Sequence, residues 1–122
     1  MHQIIIIGSG PAALTAGIYA SRAGLEPLLF ASSVEPGGEL MNTAEVENFP
    51  GFPEGIQGPE LMEKIQAQAE KFGTQLRYED VTELDVSGEV KKVTTSDGAV
   101  HESHAVIFAT GSAYRKLGLA DE

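Results

Sequence analysis

Residues 3–24, QIIIIGSGPAALTAGIYASRAG, decide the fold. The run Ile4 to Ile7 predicts a short strand that is buried on both faces, because β-branched apolar runs suit the interior of a parallel sheet. The small and apolar residues after Gly10 predict a helix, with Gly24 at the position just past its end. A strand, a glycine-rich turn and a helix in this order are typical of a dinucleotide-binding unit.

The turn itself has the pattern G-x-G-x-x-A, which here is Gly8-Ser9-Gly10-Pro11-Ala12-Ala13. In such a turn the first glycine leaves the strand tightly, the second lets a pyrophosphate approach the backbone, and the third small residue lets the helix pack against the sheet. Pro11 fits a first helical turn, where its missing N–H costs nothing. The free N–H groups and the helix dipole favour a diphosphate there. The alternative is a tight turn that holds no ligand.

The composition describes one globular domain. The chain has 122 residues, of which 42% are hydrophobic and 21% are charged. We find no run of eighteen apolar residues and no signal-peptide pattern, so we expect a cytoplasmic location. The net charge of −10 argues against nucleic-acid and membrane-surface binding.

Two residue types bear on the chemistry. The sequence has no cysteine, so it has no thiolate nucleophile and no cysteine metal site. Its histidines, His2, His101 and His104, lack metal-ligand spacing, and no metal site is expected. No motif indicates a general acid, a general base or a nucleophile, so no catalytic residue is predicted.

Residues 25–31 predict a second strand and complete a right-handed βαβ unit. A dinucleotide fingerprint expects a ribose-binding acid at about this distance, but residues 30–33 read Phe-Ala-Ser-Ser, with only Glu35 nearby. Residues 34–58 have five glycines, three prolines and no periodicity, and we interpret them as a ligand-wrapping loop rather than a structural excursion. Its expected anchors are Leu40, Met41, Val46, Phe49 and Phe52.

The rest of the chain predicts a helix over 58–73 and then strands. The helix has one apolar face, formed by Leu61, Met62, Ile65, Ala69 and Phe72. Residues 75–78 predict a third parallel strand. Residues 81–86, 90–95 and 99–103 predict an antiparallel meander with turns at 87–88 and 96–98, and 104–110 predict a separate buried strand. The expected fold class is α/β, a parallel sheet with an antiparallel β-meander.

Three segments together resemble a known family. They are GSGPAA at 8–13, GGELMNTAEVENFPGFPEGIQGPELME at 37–63 and AVIFATGSAYRKLGL at 105–119. In this order they are similar to the N-terminal FAD-binding segment of bacterial low-molecular-weight thioredoxin reductases, in the pyridine nucleotide-disulfide oxidoreductase family. The resemblance implies a Rossmann-like FAD-binding fold and an enzyme that passes electrons from NADPH through FAD and a disulfide to thioredoxin. Homodimers are common in that family.

The resemblance also implies that 1–122 is the N-terminal segment of the FAD-binding domain, without the NADPH domain and the second FAD segment. We therefore expect the chain alone to be inactive as a thioredoxin reductase and to bind or half-bind FAD. The alternatives are a stand-alone module that binds FAD or an adenine nucleotide without catalysis, a partner-binding regulatory domain, and another type of NAD-binding enzyme. The missing ribose acid weakens the last of these.

The resemblance assigns roles to residues. Residues 9–12 would contact the FAD diphosphate, residues 30–39 would wrap the ribose and adenine, Asn48 would point towards the flavin, and Val81 would meet the adenine through its backbone. Asn48 has the alternative of a turn-stabilising amide, and Val81 and Thr110 that of plain strand residues. The sequence departs from the family at Ala13, where glycine is usual, and at Glu39, where glutamine is common. The complete predicted cofactor-binding set is Gly8, Ser9, Gly10, Pro11, Ala12, Ala13, Phe30, Ala31, Ser32, Ser33, Gly37, Gly38, Glu39, Leu40, Asn48, Val81, Ala109, Thr110 and Gly111.

Overall fold

A computed structural model describes residues 1–32 and 45–111, and these residues form one six-stranded sheet and two helices. None of the helices in these two ranges is long and apolar enough to cross a membrane. The elements in chain order are β1 (His2–Ile7), α1 (Pro11–Arg22), β2 (Leu28–Ala31), α2 (Gly58–Phe72), β3 (Gln75–Tyr78), β4 (Val81–Asp85), β5 (Lys91–Thr95) and β6 (Val100–Phe108).

The sheet has a parallel half and an antiparallel half, in the order β3-β2-β1-β6-β5-β4. Strands β3, β2, β1 and β6 are parallel, and β6, β5 and β4 form an antiparallel meander. The predicted fold class, a parallel sheet joined to an antiparallel β-meander, is therefore confirmed.

Strand β6 belongs to both halves, and here the sequence prediction was wrong. Residues 99–103 and 104–110 were expected as two strands, whereas β6 runs unbroken through Ser103. Ser103 pairs with Lys91 on one side and His2 on the other, and its side chain is fully buried. No glycine or proline interrupts the pleat between the two segments, so the change of partner needs no break in the strand.

Strand β1 is buried on both faces, as the isoleucine run predicted. Ile5 and Ile6 are both fully buried and point to opposite sides of the sheet. Ile6 belongs to the core beneath the helices, which we call the helix-side core, and Ile5 and Ile7 belong to a second core that includes Val93 of the meander, the meander-side core.

The two helices cover the helix-side core. In α2 the predicted apolar face is confirmed for its first four members, which are buried: Leu61, Met62, Ile65 and Ala69. The fifth, Phe72, is 38% exposed, because it lies at the last helical residue. The Arg22 guanidinium of α1 lies 5.6 Å from the centre of its ring, a cation–π contact at the surface.

Two strands differ in extent or burial from their predictions. Strand β2 begins at Leu28 rather than at residue 25, because Glu26 has a positive φ of 49° and Pro27 has no N–H to donate to a ladder. The segment 104–110 was expected to be buried, but His104 is exposed and Phe108 is 49% exposed. Beyond Ser103, no strand among residues 1–32 and 45–111 pairs with the second edge of β6.

The described part of the long loop is anchored on the helix-side core. Val46 and Ile56 form an isolated antiparallel bridge, in which the Val46 N–H donates to the Ile56 carbonyl oxygen at 2.7 Å. Phe49 and Phe52 pack against the helix-side core from the turn between them. The expected anchoring is thus supported for Val46, Phe49 and Phe52, while the predicted anchors Leu40 and Met41 lie outside the described residues.

The burial of the helix-side core gives a stability prediction. Leu29 is fully buried in that core, and truncation to alanine removes its contacts and leaves a cavity. We expect Leu29→Ala to lower the free energy of unfolding by about 2–5 kcal/mol in urea denaturation. The matched control is Leu84→Ala on β4, where the side chain is 37% exposed and the loss should stay below about 1 kcal/mol. Equal losses in the two variants would contradict this assignment of the core.

Candidate functional site

The carboxyl ends of three parallel strands meet at one edge of the sheet. Strands β1, β2 and β6 end at Ile7, Ala31 and Phe108. The Gly8 N–H donates to the Phe30 carbonyl oxygen at 3.0 Å, and the Ala109 N–H donates to the Ile7 carbonyl oxygen at 2.8 Å. These two bonds continue the ladders past the strand ends. In open α/β sheets, ligands bind at this edge.

Glycine is needed at position 8 for two reasons: the backbone conformation of the turn and the close approach of Ala109. Its φ is +138°, and a Cβ atom built on it would lie 2.0 Å from the Ala109 carbonyl oxygen. The same Cβ would lie 3.2 Å from the Cβ of Ala13, which is fully buried. The sequence predicted a tight turn at Gly8 and close helix packing at Ala13. The contact with the end of β6 is an additional constraint that only the fold reveals.

The start of α1 has features that favour an anion. Gly10 is the N-cap residue and makes no side-chain cap hydrogen bond, and the first turn has no acidic residue. Pro11 occupies the first helical turn, as predicted. The first N–H groups of a helix have no partner within it, and they carry the positive end of the helix dipole. By contrast, α2 has Glu60 in its first turn.

A cleft with a cavity volume of about 100 Å³ opens at the strand ends. Its walls combine large apolar side chains with a few polar ones, which is the usual composition of a ligand site. We call it the strand-end cleft, and its lining residues are Ile7, Gly8, Phe30, Ala31, Ser32, Glu79, Asp80, Val81, Phe108 and Thr110.

The strand-end cleft brings together part of the predicted set. Six predicted residues line it: Gly8, Phe30, Ala31, Ser32, Val81 and Thr110. The others near this edge do not line it: Ser9, Gly10, Pro11, Ala12 and Ala13 in the turn and α1, and Ala109 and Gly111 around Thr110. Five predicted residues lie outside the described residues: Ser33, Gly37, Gly38, Glu39 and Leu40.

Asn48 lies in a different place from the cleft. It is exposed and lines a separate, open depression formed by residues 47–53. The rings of Phe49 and Phe52 in this depression have centroids 6.4 Å apart. The structure therefore does not bring Asn48 to the strand-end cleft, and its role towards a flavin stays a prediction.

Sequence reasoning missed four of the lining residues: Ile7, Glu79, Asp80 and Phe108. A signal for two of them was present, since Glu79 and Asp80 directly follow a predicted parallel strand, where side chains reach the ligand-binding edge. The ribose acid expected after β2 is missing, but the end of the neighbouring strand β3 supplies two acids. Only the pairing of β3 with β2 makes this visible.

The turn between β5 and β6 is fixed against this acidic corner. The Thr95 hydroxyl donates to Asp97 Oδ1 at 2.6 Å, and the Ala99 N–H donates to the same oxygen at 3.0 Å. The Ser96 N–H donates to the Asp80 carbonyl oxygen at 2.9 Å. The Thr95 hydroxyl and then the Ala99 N–H hold the pKa of Asp97 below its ordinary value of 3.8, because both donate to the ionised form.

The close approach at Gly8 gives a second prediction. Gly8→Ala should lower the free energy of unfolding by about 3 kcal/mol or more, because the added Cβ would overlap the Ala109 carbonyl oxygen in a backbone conformation that disfavours it. The control is Gly73→Ala, with φ +113° and no atom within 4 Å of the added Cβ, where only the conformational cost of about 1–2 kcal/mol applies. Urea denaturation of both variants measures the difference. A Gly8 variant no less stable than the Gly73 variant would refute the contact.

The Asp97 turn gives a third prediction, testable by NMR titration of the side-chain carboxyl groups. Thr95→Val should raise the pKa of Asp97 towards 3.8, because it removes the hydroxyl donor. Asp85 is an internal control, since its pKa is lowered by Ser87 instead and should not move. Because the folded pKa of Asp97 is depressed, its contribution to stability is present above 3.8 and is lost as the pH falls through the folded value. An unchanged pKa of Asp97 in the variant would contradict this.

Comparison with known proteins agrees with this architecture. Residues 2–122 match the family model described as pyridine nucleotide-disulphide oxidoreductase. The thioredoxin reductase of Streptomyces coelicolor is 57% identical over 122 residues, which are 100% of this chain and 38% of that protein. The thioredoxin reductase of Mycolicibacterium smegmatis is 52% identical over 122 residues, which are 100% of this chain and 39% of that protein.

Solved structures give the same result. The thioredoxin reductase of Lactococcus lactis superposes with a TM-score of 0.85 at 40% identity and covers 98% of this chain and 38% of that chain. The enzyme of Streptococcus pyogenes superposes with a TM-score of 0.86 at 42% identity, with coverage of 98% and 38%. The chain thus spans less than half the length of these relatives. By the match over residues 2–122, the chain belongs to the pyridine nucleotide-disulphide oxidoreductase family, with the Rossmann-type fold of thioredoxin reductases.

Proposed function

We propose that residues 1–122 form the N-terminal FAD-binding segment of an NADPH-dependent thioredoxin-disulfide reductase. The observation that carries the proposal is the strand-end cleft beside the uncapped start of α1. Such a pair offers an apolar cleft for a flat base and backbone N–H groups for a diphosphate. The likeness to thioredoxin reductases supports FAD as the dinucleotide.

The residues present fit the adenine end of FAD. Val81 and Phe108 offer apolar surface for the base, and Ser32 and Thr110 offer hydroxyl groups for a ribose. At the start of α1, which is 12 residues long, the backbone N–H groups would hold the diphosphate. The net charge of −10 does not oppose this, because the helix terminus supplies a local positive field.

The other predicted residues complete the proposed site. Ala109 and Gly111 flank Thr110 at the sheet edge, and Asn48 would reach the flavin side from its own depression. The remaining members would wrap the ribose and adenine from the segment after β2: Ser33, Gly37, Gly38, Glu39 and Leu40. In this proposal the protein is cytoplasmic, and NADPH, thioredoxin and a second copy of the chain are partners of the whole enzyme.

The division of chemistry follows from the residue types. When bound, FAD accepts electrons from NADPH and passes them to a disulfide. The 122 residues have no cysteine, so in this proposal they supply binding and orientation, and the disulfide is supplied from outside them. The same absence favours a second candidate, a stand-alone module that binds FAD or an adenine nucleotide without catalysis. The two candidates differ in whether NADPH-dependent disulfide reduction appears when the remaining parts of the enzyme are present.

A titration of the purified chain with FAD tests the binding claim. We expect a shifted visible flavin band and quenched flavin fluorescence, with weaker binding than in a full-length relative, because the second FAD segment of the family is not among these residues. Phe108→Asp should weaken binding at least about tenfold, since the carboxylate removes an apolar wall and repels phosphate.

The matched control is Val100→Asp, which introduces the same charge on the same strand. Val100 is 57% exposed and lies eight residues from Phe108, about 26 Å along an extended strand. This variant should bind FAD as the unmodified chain does. Two results would overturn the proposal that these residues alone form a cofactor half-site. One is an equal effect of the two substitutions on FAD binding. The other is no FAD binding by a chain that circular dichroism shows to be folded.

A further inference from the structure

Glu79 in the strand-end cleft has an oxygen without a partner. Its Oε1 atom is buried and accepts no hydrogen bond from any residue within 1–32 and 45–111. It is the only buried side-chain nitrogen or oxygen atom in those ranges with this property. Buried polar atoms are nearly always hydrogen-bonded in folded proteins, so an unpaired one in a ligand cleft calls for a donor from outside the described residues, and a bound ligand is such a donor.

The position of Glu79 limits what that donor can be. Glu79 lies in the connection between β3 and β4, two residues before Val81, and both residues line the cleft. The exposed apolar surface of the cleft comes from Val81 and Phe108, which suits a flat heterocycle. The hydrogen-bonding groups of such a base lie on its edge, and one of them would be the donor to Glu79.

The charges at the two ends of the site fix the orientation of the ligand. Asp80 also lines the cleft, and the Glu79 side chain is hydrogen-bonded to Asp97 while its Oε1 atom has no partner, so this corner is acidic and disfavours a phosphate. The start of α1, with Gly10 as its N-cap and no acid in its first turn, favours one. The ligand is therefore oriented with its phosphates at α1 and a neutral hydrogen-bond donor at Glu79.

We infer that Glu79 Oε1 accepts a hydrogen bond from the exocyclic amine of an adenine base in the strand-end cleft, which makes Glu79 a specificity-determining residue. The inference rests on the proposed nucleotide binding. A carboxylate oxygen accepts hydrogen bonds and cannot donate them, so it pairs with an amine and rejects a carbonyl oxygen at the same place. The cleft should then discriminate adenine from hypoxanthine, which has a carbonyl group where adenine has the amine.

Isothermal titration of the 122-residue chain with ADP and IDP tests this discrimination. We expect the unmodified chain to bind ADP about tenfold more tightly than IDP. In Glu79→Leu the ratio should fall to about one through loss of ADP affinity. In Glu79→Gln it should also approach one, but through a gain of IDP affinity, because a glutamine amide can accept from the amine or donate to the carbonyl.

Two controls separate the amine from other sources of the effect. Glu83→Leu and Glu83→Gln remove an exposed carboxylate of β4 and should leave the ratio of ADP to IDP affinity at about ten. Titration with 2′-deoxy-ADP tests the ribose hydroxyl as the donor. If the unmodified chain discriminates against 2′-deoxy-ADP and only that discrimination disappears in Glu79→Leu, the assignment to the amine is overturned.

The outcomes also separate this inference from the proposed function. If ADP binds but its ratio to IDP is the same in the unmodified chain and both Glu79 variants, the inference fails while nucleotide binding stands. If the folded, unmodified chain binds neither FAD nor ADP, both fail. Should circular dichroism show that Glu79→Leu does not fold, the Glu79→Gln ratio decides the question, since glutamine preserves the shape and the acceptor.

Discussion

The close approach of β6 to Gly8 is the constraint on which the site depends. The Ala109 carbonyl oxygen occupies the space where any other residue at position 8 would place its Cβ. The Ala109 N–H bonds to Ile7 and the Gly8 N–H bonds to Phe30, so three strand ends are fixed at one level. The strand-end cleft exists because these strands stop together and α1 starts at the same point. This contact joins residues about a hundred positions apart, so the site forms only after a long-range pairing closes.

Local patterns predicted the elements well, because each pattern reports on burial around a single element. The isoleucine run predicted β1, and the apolar stripe of α2 predicted four buried residues. Strand pairing is not a local property, and this is why the sequence analysis wrongly predicted a break within β6. The segment before Ser103 alternates like a half-exposed strand and the segment after it is apolar, so they look like two elements. They differ because β6 changes partner from β5 to β1.

The residues of the candidate site likewise fall into two groups: those that a local pattern predicts and those that depend on strand pairing. The spacing of the small residues predicted the glycine-rich turn, because the close approach of a pyrophosphate to the backbone restricts which residues can stand there. For Glu79 and Asp80 the sequence offered only their place after a predicted strand, and their position in the cleft depends on β3 lying next to β2 in the sheet. The acid expected after β2 is missing, and two acids follow the neighbouring strand β3 instead. A motif that counts residues along one segment cannot predict this, because it carries no information on which strands are neighbours.

The two faces of the sheet bear on the proposed binding of an elongated ligand. Three residues that line the strand-end cleft belong to the meander-side core or pack against it: Ile7, Phe30 and Val81. The depression that contains Asn48 belongs to a segment whose Phe49 and Phe52 pack on the helix-side core. Strand β1 separates the two cores, with Ile6 in one and Ile7 in the other, and it ends where α1 begins. The groups there are a glycine turn and an uncapped helix start, which suit a diphosphate. A dinucleotide with a base at one end, a diphosphate in the middle and a second ring system at the other end has the required order of chemical groups. This arrangement supports FAD over a mononucleotide as the natural ligand in the proposed function.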